Sequence, residues 1–130
     1  MRLLLDTHVA IWILTEPHRI PPRVSEEIGN PANLVSVSAA AIWEIAIKHR
    51  LERPDSPPFS GSEAIGHFQT AGFSVLEVSA AHAAFVERLP MIHSDPFDRL
   101  MLSQALIEGM QFVTNDRRLS HYAAPVMTWT

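Results

Sequence analysis

Residues 93–105 read HSDPFDRLMLSQA, and this stretch predicts the start of a helix with an acid on its buried side. Proline lacks a backbone N–H and disfavours a helical residue before it, so Pro96 should be the first helical residue and Asp95 the N-cap. Asp98 is then the third helical residue, and steps of four and three lead to Leu102 and Ala105 on the apolar side. A carboxylate on that side needs a partner, since the helix N-terminus neutralises only part of its charge. An ordinary capping arrangement would also explain the pattern.

Beyond this stretch, short apolar runs alternate along the chain with segments of helical periodicity. Strands are predicted at residues 2–5, 34–37, 73–78, 111–114 and 125–129, and helices at residues 8–14, 22–28, 39–50, 61–71, 80–89 and 96–108. Residues 53–62, which include three prolines, are predicted to form a surface loop, with a mobile flap as the alternative. Apolar strands separated by helices indicate an α/β sandwich, with helices flanking a mainly parallel sheet of four or five strands.

The composition is that of one globular domain spanning residues 1–130, with 47% hydrophobic and 18% charged residues. The chain has no cysteine, which excludes disulfides and zinc–thiolate sites and is compatible with a reducing compartment. Asp6 interrupts the N-terminal apolar run, so we expect neither a signal peptide nor a membrane span, and a cytoplasmic location. The net charge of −4 argues against broad attraction to nucleic acid, so any such contact must use local basic clusters or metal ions.

Three further acids lie where strands end or within apolar sequence. Asp6 directly follows the first predicted strand, and Asp116 follows the fourth. Because parallel sheets bind ligands at the carboxyl ends of their strands, both acids should face one crevice if the two strands are neighbours. Glu44 lies in AAAIWEIAI, residues 39–47, which is otherwise wholly apolar. An unpaired carboxylate in such surroundings would cost several kcal/mol.

Each of these acids also has an ordinary structural explanation. Asp6 is placed to cap the first predicted helix, which would leave one of its oxygens free for a metal ion. Glu44 can pair with Lys48, four residues further along the helix. Asp116 follows an asparagine, and Asn-Asp is a common turn signal. The histidines form no catalytic triad, and His93, although near the acids, is interpreted as structural.

Four carboxylates without thiolates or regularly spaced histidines suit Mg²⁺, with Mn²⁺ as a possible substitute. A divalent cation held by carboxylates can activate water and stabilise in-line displacement at a phosphodiester. Lys48, Arg117 and Arg118 are candidates for contacts to an RNA backbone, although each alone is also ordinary surface charge.

Four short motifs in order along the chain resemble PIN-domain ribonucleases, and in particular the VapC-type toxins of bacterial toxin–antitoxin pairs. They are LLDTH at residues 4–8, IWEIAIK at 42–48, DPFDRL at 95–100 and VTND at 113–116. The resemblance places the acidic quartet of this family on Asp6, Glu44, Asp98 and Asp116, as catalytic groups and metal ligands.

The resemblance also implies a three-layer sandwich and Mg²⁺-dependent endonucleolytic cleavage of RNA. It further implies a homodimer and inhibition by a cognate antitoxin, with which the chain would form a hetero-oligomer. Asp95, Thr7 and Asn115 lie beside quartet members in the motifs and are expected to cap helices or surround the metal ligands.

Two other functions are compatible with the sequence. One is a non-catalytic module that binds RNA or a protein partner and uses the acids for a structural ion. The other is an aspartyl phosphotransferase with Asp6 as nucleophile, although Asp6-Thr7-His8 lacks the second acid two residues on that such phosphatases usually carry. Loss of hydrolysis with retained partner binding in an Asp98→Asn variant would separate an enzyme from a binding module.

Overall fold

A computed structural model describes residues 1–122 and 126–129 of the chain. Across these ranges, five parallel strands form one sheet in the order β3-β2-β1-β4-β5, and six α-helices flank it. The strands are β1 (Arg2–Leu5), β2 (Leu34–Ser38), β3 (Ser74–Leu76), β4 (Gln111–Val113) and β5 (Val126–Met127). The helices are α1 (Thr7–Thr15), α2 (Pro22–Gly29), α3 (Ala39–Arg50), α4 (Gly61–Thr70), α5 (Ala80–Phe85) and α6 (Pro96–Glu108). The predicted α/β sandwich with a parallel sheet is confirmed.

The apolar β1 occupies the centre of the sheet. Leu3, Leu4 and Leu5 have no solvent exposure, because β2 and β4 lie on either side and helices cover the faces of a parallel sheet. In the register, Leu5 lies opposite Val37 of β2 and Val113 of β4. These three neighbouring strands therefore end at the same edge of the sheet, where the chain turns into α1, α3 and the segment after β4.

Side-chain caps mark the starts of five of the six described helices, α2 being the exception, and the sequence predicts the caps by Asp6 and Asp95. Asp6 caps α1 and Asp95 caps α6 through backbone N–H groups of the first turn. Ser38 caps α3, and Ser60 forms a reciprocal capping box with Glu63 at the start of α4. Gly109 ends α6 in a left-handed conformation with φ 68°, which glycine adopts without steric cost.

Several boundaries differ from the sequence prediction. The strand predicted at residues 73–78 is limited to Ser74–Leu76, an edge strand with a hydrogen-bonding neighbour on one side only. The helix predicted at residues 80–89 leaves α geometry after Phe85, and Val86–Arg88 form a 3₁₀ turn closed by the Leu89 N–H on the Val86 carbonyl. Pro17–Arg19 form another such turn within a predicted loop. Of the predicted fifth strand, Pro125 lies outside the described residues.

One hydrophobic core joins the sheet to the helices around it. Its large, fully buried side chains come from β1, β4 and several helices, and include Phe68, Met101 and Phe112. Within the described ranges, no helix combines the length and apolar character needed to cross a bilayer. The core fixes the relative positions of the carboxyl ends of β1, β2 and β4. The polar cleft lies at the edge of the sheet where these strands end.

Candidate metal centre

An open cleft of about 1000 Å³ lies at the carboxyl edge of the central strands. Asp6 follows β1, and Asp116 lies three residues beyond β4, so the pairing of β1 with β4 brings the two acids to one crevice. The two strands are thus neighbours, which is the condition under which the sequence places both acids at one crevice. The cleft is also lined by the acidic side chains of Glu44, Asp95 and Asp98.

Asp6 is 3% exposed, and both of its carboxylate oxygens accept hydrogen bonds. The backbone N–H of Val9 donates to Oδ1 over 2.9 Å, and the Thr114 hydroxyl donates to Oδ2. Burial raises the pKa of Asp6, outweighing the two hydrogen bonds that lower it. The expectation that capping leaves one oxygen free is therefore wrong, since Thr114 occupies the other. A carboxylate oxygen accepts more than one bond, so Asp6 retains lone pairs for a cation.

Glu44 is also 3% exposed and is held from two sides. The Thr7 hydroxyl donates to Oε1 over 2.6 Å, and Lys48 Nζ lies 2.5 Å from Oε2. Burial lowers the pKa of Lys48, but its bond to Glu44 outweighs this effect and leaves the pKa raised. The predicted pairing of Glu44 with Lys48 is confirmed, and Glu44 also lines the cleft. That Glu44 shares a cation with the other acids stays a prediction.

Asp98 lies at the start of α6 with 19% of its side chain exposed. Its pKa is raised to about 8, first by burial and then by the neighbouring charges of Asp95, Asp6, Glu44 and Asp116. At neutral pH the carboxyl therefore keeps a proton unless a cation enters. The concentration of negative charge, without enough positive charge to balance it, distinguishes this cleft from an ordinary capped helix start.

Asp116 caps the 3₁₀ turn Arg117–His121 and is held by two cationic or polar neighbours. The Arg118 side chain donates from Nε to Oδ1 over 3.0 Å and from Nη2 to Oδ2 over 2.8 Å. These bonds lower the pKa of Asp116 strongly, and a hydrogen bond from His93 lowers it further. The guanidinium of Arg118 is thus engaged by a carboxylate at the rim of the cleft, while its side chain stays 68% exposed.

His93 is the residue that the sequence interpretation underrated. It is 6% exposed, and its Nε2 lies 2.8 Å from Asp116 Oδ2 and 3.4 Å from Asp98 Oδ2. One atom from each of His93, Asp98 and Asp116 falls within 4.8 Å of the others, whereas Asp6 and Glu44 line the same cleft outside this group. The sequence feature that could have identified His93 as part of the site is its position two residues before the Asp95 cap.

Of the other predicted residues, three line the cleft and Arg117 does not. Thr7 is buried against Glu44, Asp95 accepts the N–H groups of Phe97 and Asp98, and Asn115 is exposed at the cleft wall. Arg117 is exposed and lies outside the residues that line the cleft.

The donor set fits Mg²⁺ or Mn²⁺ better than a softer metal ion. Carboxylate oxygens predominate, the chain has no cysteine, and a hard divalent cation prefers oxygen ligands. Such a cation would also supply the positive charge whose lack raises the pKa of Asp98. The residues present therefore fit the metal that the resemblance implies.

The sheet order and the acidic cleft at its carboxyl edge define an α/β domain with a candidate centre for a hard metal ion. The family model for the PIN domain matches residues 3–125, and the chain therefore belongs to the PIN domain family. It is 35% identical to Ribonuclease VapC22 of Mycobacterium tuberculosis, over 98% of each sequence.

Solved structures support the same fold. The chain superposes on a chain of VapBC2 from Rickettsia felis, crystallised with a promoter DNA fragment, with a TM-score of 0.72, 15% identity and full coverage of both chains. A DNA-bound VapBC from Salmonella typhimurium gives a TM-score of 0.71 at 18% identity, covering 100% of this chain and 99% of that one. At these identities the likeness establishes the three-layer architecture.

Proposed function

We propose that this protein is a metal-dependent endoribonuclease that cleaves RNA phosphodiesters as the toxin of a toxin–antitoxin pair. The observation that carries the proposal is the convergence of buried and half-buried acidic side chains in one cleft. Several carboxylates converge there, and burial with mutual repulsion raises the pKa of Asp98 to about 8. A cleft built in this way favours Mg²⁺ or Mn²⁺ and, through the metal, a phosphate group that the bare acids would repel.

In this proposal Asp6, Glu44, Asp98 and Asp116 are the catalytic acids and hold the cation. The bound cation would supply Lewis-acid chemistry: it lowers the pKa of a water molecule and neutralises charge on the phosphate. The protein itself contributes fixed positions for the donors. Thr7 donates to one oxygen of Glu44, and the Asp95 cap fixes the start of the helix that carries Asp98.

Basic side chains at the cleft are suited to orient the substrate. Lys48 and Arg118 each bind an acid of the quartet, and both side chains remain partly exposed, at 45% and 68%. They are therefore placed to contact a phosphate flanking the cleaved bond while still holding a carboxylate. Arg117, which is exposed and adjacent to Arg118 in sequence, is proposed to contact the RNA backbone further from the acids.

The proposed biological role follows the relatives. Ribonuclease VapC22 is 35% identical, and the superposed structures are VapBC complexes. We extend this to a cytoplasmic toxin that forms a homodimer and is inhibited by a cognate antitoxin in a hetero-oligomer. Induced expression of the chain in a bacterial host should arrest growth, and expression of the Asp98→Asn variant should not.

The direct test is cleavage of total RNA by the purified, antitoxin-free protein with Mg²⁺, with Mn²⁺ or with excess chelator. Discrete fragments that require metal and disappear in Asp98→Asn are expected. Asp55→Asn is the matched control, because Asp55 is an exposed acid on the rim of the same cleft. If Glu44→Gln cleaved RNA as the wild type does, the assignment of four catalytic acids would be wrong.

The non-catalytic alternative is favoured by one observation, the two ion pairs that already hold Glu44 and Asp116. Metal binding without cleavage of any RNA, together with retained antitoxin binding, would support it. The phosphotransferase alternative is disfavoured by the geometry of Asp6, whose two oxygens are engaged by Val9 and Thr114 in a buried position.

A further inference from the structure

His93 connects two segments that meet only in the folded protein. Its ring lies between the N-terminus of α6, which carries Asp98, and the turn after β4, which carries Asp116. Its own backbone N–H donates to the Tyr122 hydroxyl over 2.9 Å, which ties the residue to the far end of that turn. At 6% exposure, the side chain has little freedom to leave this position.

The hydrogen bonds of the ring fix the position of its proton. The backbone N–H of Asp95 lies 3.0 Å from Nδ1, and because a backbone amide can only donate, Nδ1 must be an acceptor. A ring that accepts at Nδ1 carries its proton on Nε2. Nε2–H then donates to Asp116 over 2.8 Å, with the nearer oxygen of Asp98 at 3.4 Å.

His93 lies close enough to Asp98 and Asp116 to be a metal ligand, but the position of its ring proton argues against that role. A histidine nitrogen binds a metal ion through a free lone pair, and the lone pair of Nε2 is replaced here by a proton. To bind a metal ion through Nε2, the ring would have to carry its proton on Nδ1 instead. The Nδ1–H and the Asp95 N–H would then be two donors facing each other without an acceptor. That N–H immediately precedes the capped start of α6, so it has little room to retreat.

We propose that His93 is a positioning residue, whose Nε2–H orients the carboxylate of Asp116 beside that of Asp98 for a divalent cation without binding the cation itself. This inference rests on the proposed metal-dependent function. It assigns His93 the task of orienting the acid at the end of β4 relative to the acid at the start of α6. Such outer hydrogen bonds set the orientation of metal ligands, and their removal typically lowers metal affinity by about 10–100-fold.

The experiment measures Mn²⁺ binding to the full-length protein by calorimetry and by electron paramagnetic resonance, without RNA. His93→Ala should weaken Mn²⁺ binding by about 10–100-fold. His93→Gln, which can present an amide N–H near the position of Nε2, should recover most of the loss. His18→Ala is the control, because His18 is exposed outside the cleft and should bind Mn²⁺ as the wild type does.

Two spectroscopic readings test the role directly. The hyperfine spectrum of Mn²⁺ bound to the wild type should lack the coupling of a directly ligated imidazole nitrogen. Nitrogen-15 NMR of the metal-free protein should show Nδ1 of His93 as the unprotonated ring nitrogen and Nε2 as the protonated one. A directly coordinated nitrogen that disappears in His93→Ala would overturn the proposal and make His93 a ligand.

The failures of the two proposals are distinguishable. If His93→Ala and the wild type bind Mn²⁺ equally well, the inference about His93 is wrong, and the proposed metal-dependent nuclease function still stands. If the wild type binds no divalent cation at all, the metal-dependent function itself is wrong. If His93→Ala proves unfolded by circular dichroism, the comparison of His93→Gln with His18→Ala and the NMR assignment decide the question.

Discussion

Replacing Asp98 with asparagine should stabilise the metal-free protein at neutral pH while abolishing RNA cleavage. The folded protein holds the Asp98 proton up to a pKa of about 8, whereas an unfolded chain releases it near the ordinary value of 3.8. Between these two values the folded state binds more protons than the unfolded state, so stability falls as the pH rises. Asparagine has no proton to release and removes this loss.

The size of the effect follows from the linkage of proton binding to folding. One proton held only by the folded state costs about 1.4 kcal/mol of stability per pH unit, so Asp98 would cost about 4 kcal/mol between its ordinary pKa and pH 7. Because 19% of the side chain is exposed and water screens the carboxyl, we expect about half of this, on the order of 2 kcal/mol.

The assay is urea unfolding in excess chelator at several pH values between 4.5 and 8, with the wild type, Asp98→Asn and Asp55→Asn in parallel. Asp98→Asn should gain stability relative to the wild type as the pH rises, whereas Asp55→Asn should follow the wild type. The raised pKa of Asp6 acts in the same direction in all three proteins and cancels in the comparison. Saturating Mg²⁺ should reduce or reverse the stability difference between Asp98→Asn and the wild type, because Mg²⁺ stabilises the wild type, which binds it more tightly.

Parallel stability curves for the wild type and Asp98→Asn would refute the reasoning. They would mean that the carboxyl of Asp98 is solvated well enough to ionise near pH 4. The excess of negative charge in the cleft would then be too small to favour a divalent cation on electrostatic grounds.

Three further results are expected. Mg²⁺ binding at pH 7 should release close to one proton from Asp98, so the calorimetric heat should vary with the ionisation enthalpy of the buffer; a heat independent of buffer would contradict this. Gly61→Ala should lower the free energy of unfolding in urea by about 1–3 kcal/mol, because the added Cβ would lie 2.9 Å from Cβ of Ala46. Gly66→Ala is the control: Gly66 has open space where the Cβ would be added, and alanine should stabilise α4 slightly. Arg118→Ala should cost less than about 1 kcal/mol of stability, since its side chain is 68% exposed, and should raise the KM for RNA more than it lowers kcat; the reverse pattern would argue against a phosphate contact.

The fold was largely predictable because its signals are local. The apolar run at residues 2–5 predicts a strand, which the structure shows as β1, and Asp95 marks a helix start that the structure confirms. The prediction was weaker for β3 and the end of α5. Edge pairing and the tightening of a last helical turn depend on neighbours that the sequence does not identify.

The acids that line the cleft could be predicted from the sequence, but most of their hydrogen-bond partners, the Lys48 partner of Glu44 excepted, could not. Asp6 and Asp116 follow strands, Glu44 interrupts an apolar run, and Asp98 lies on the apolar side of a helix start. The bonds from Thr114 to Asp6 and from His93 to Asp116 span 108 and 23 residues, and no local pattern indicates them. The tautomer of His93 depends on a backbone amide whose direction is set by the capped start of α6.

The pairing of β1 with β4 has a consequence for the timing of synthesis. Asp6 is synthesised before residues 111–116, and its crevice closes only when these residues arrive to supply β4, Thr114 and Asp116. At about 5–20 residues per second, a ribosome would carry the growing chain for several seconds before these residues exist. A nascent or prematurely terminated chain that ends before β4 therefore lacks Asn115, Asp116 and Arg118 of the cleft wall. For the proposed ribonuclease, the acidic cleft therefore cannot form on the ribosome until residue 116 has been synthesised.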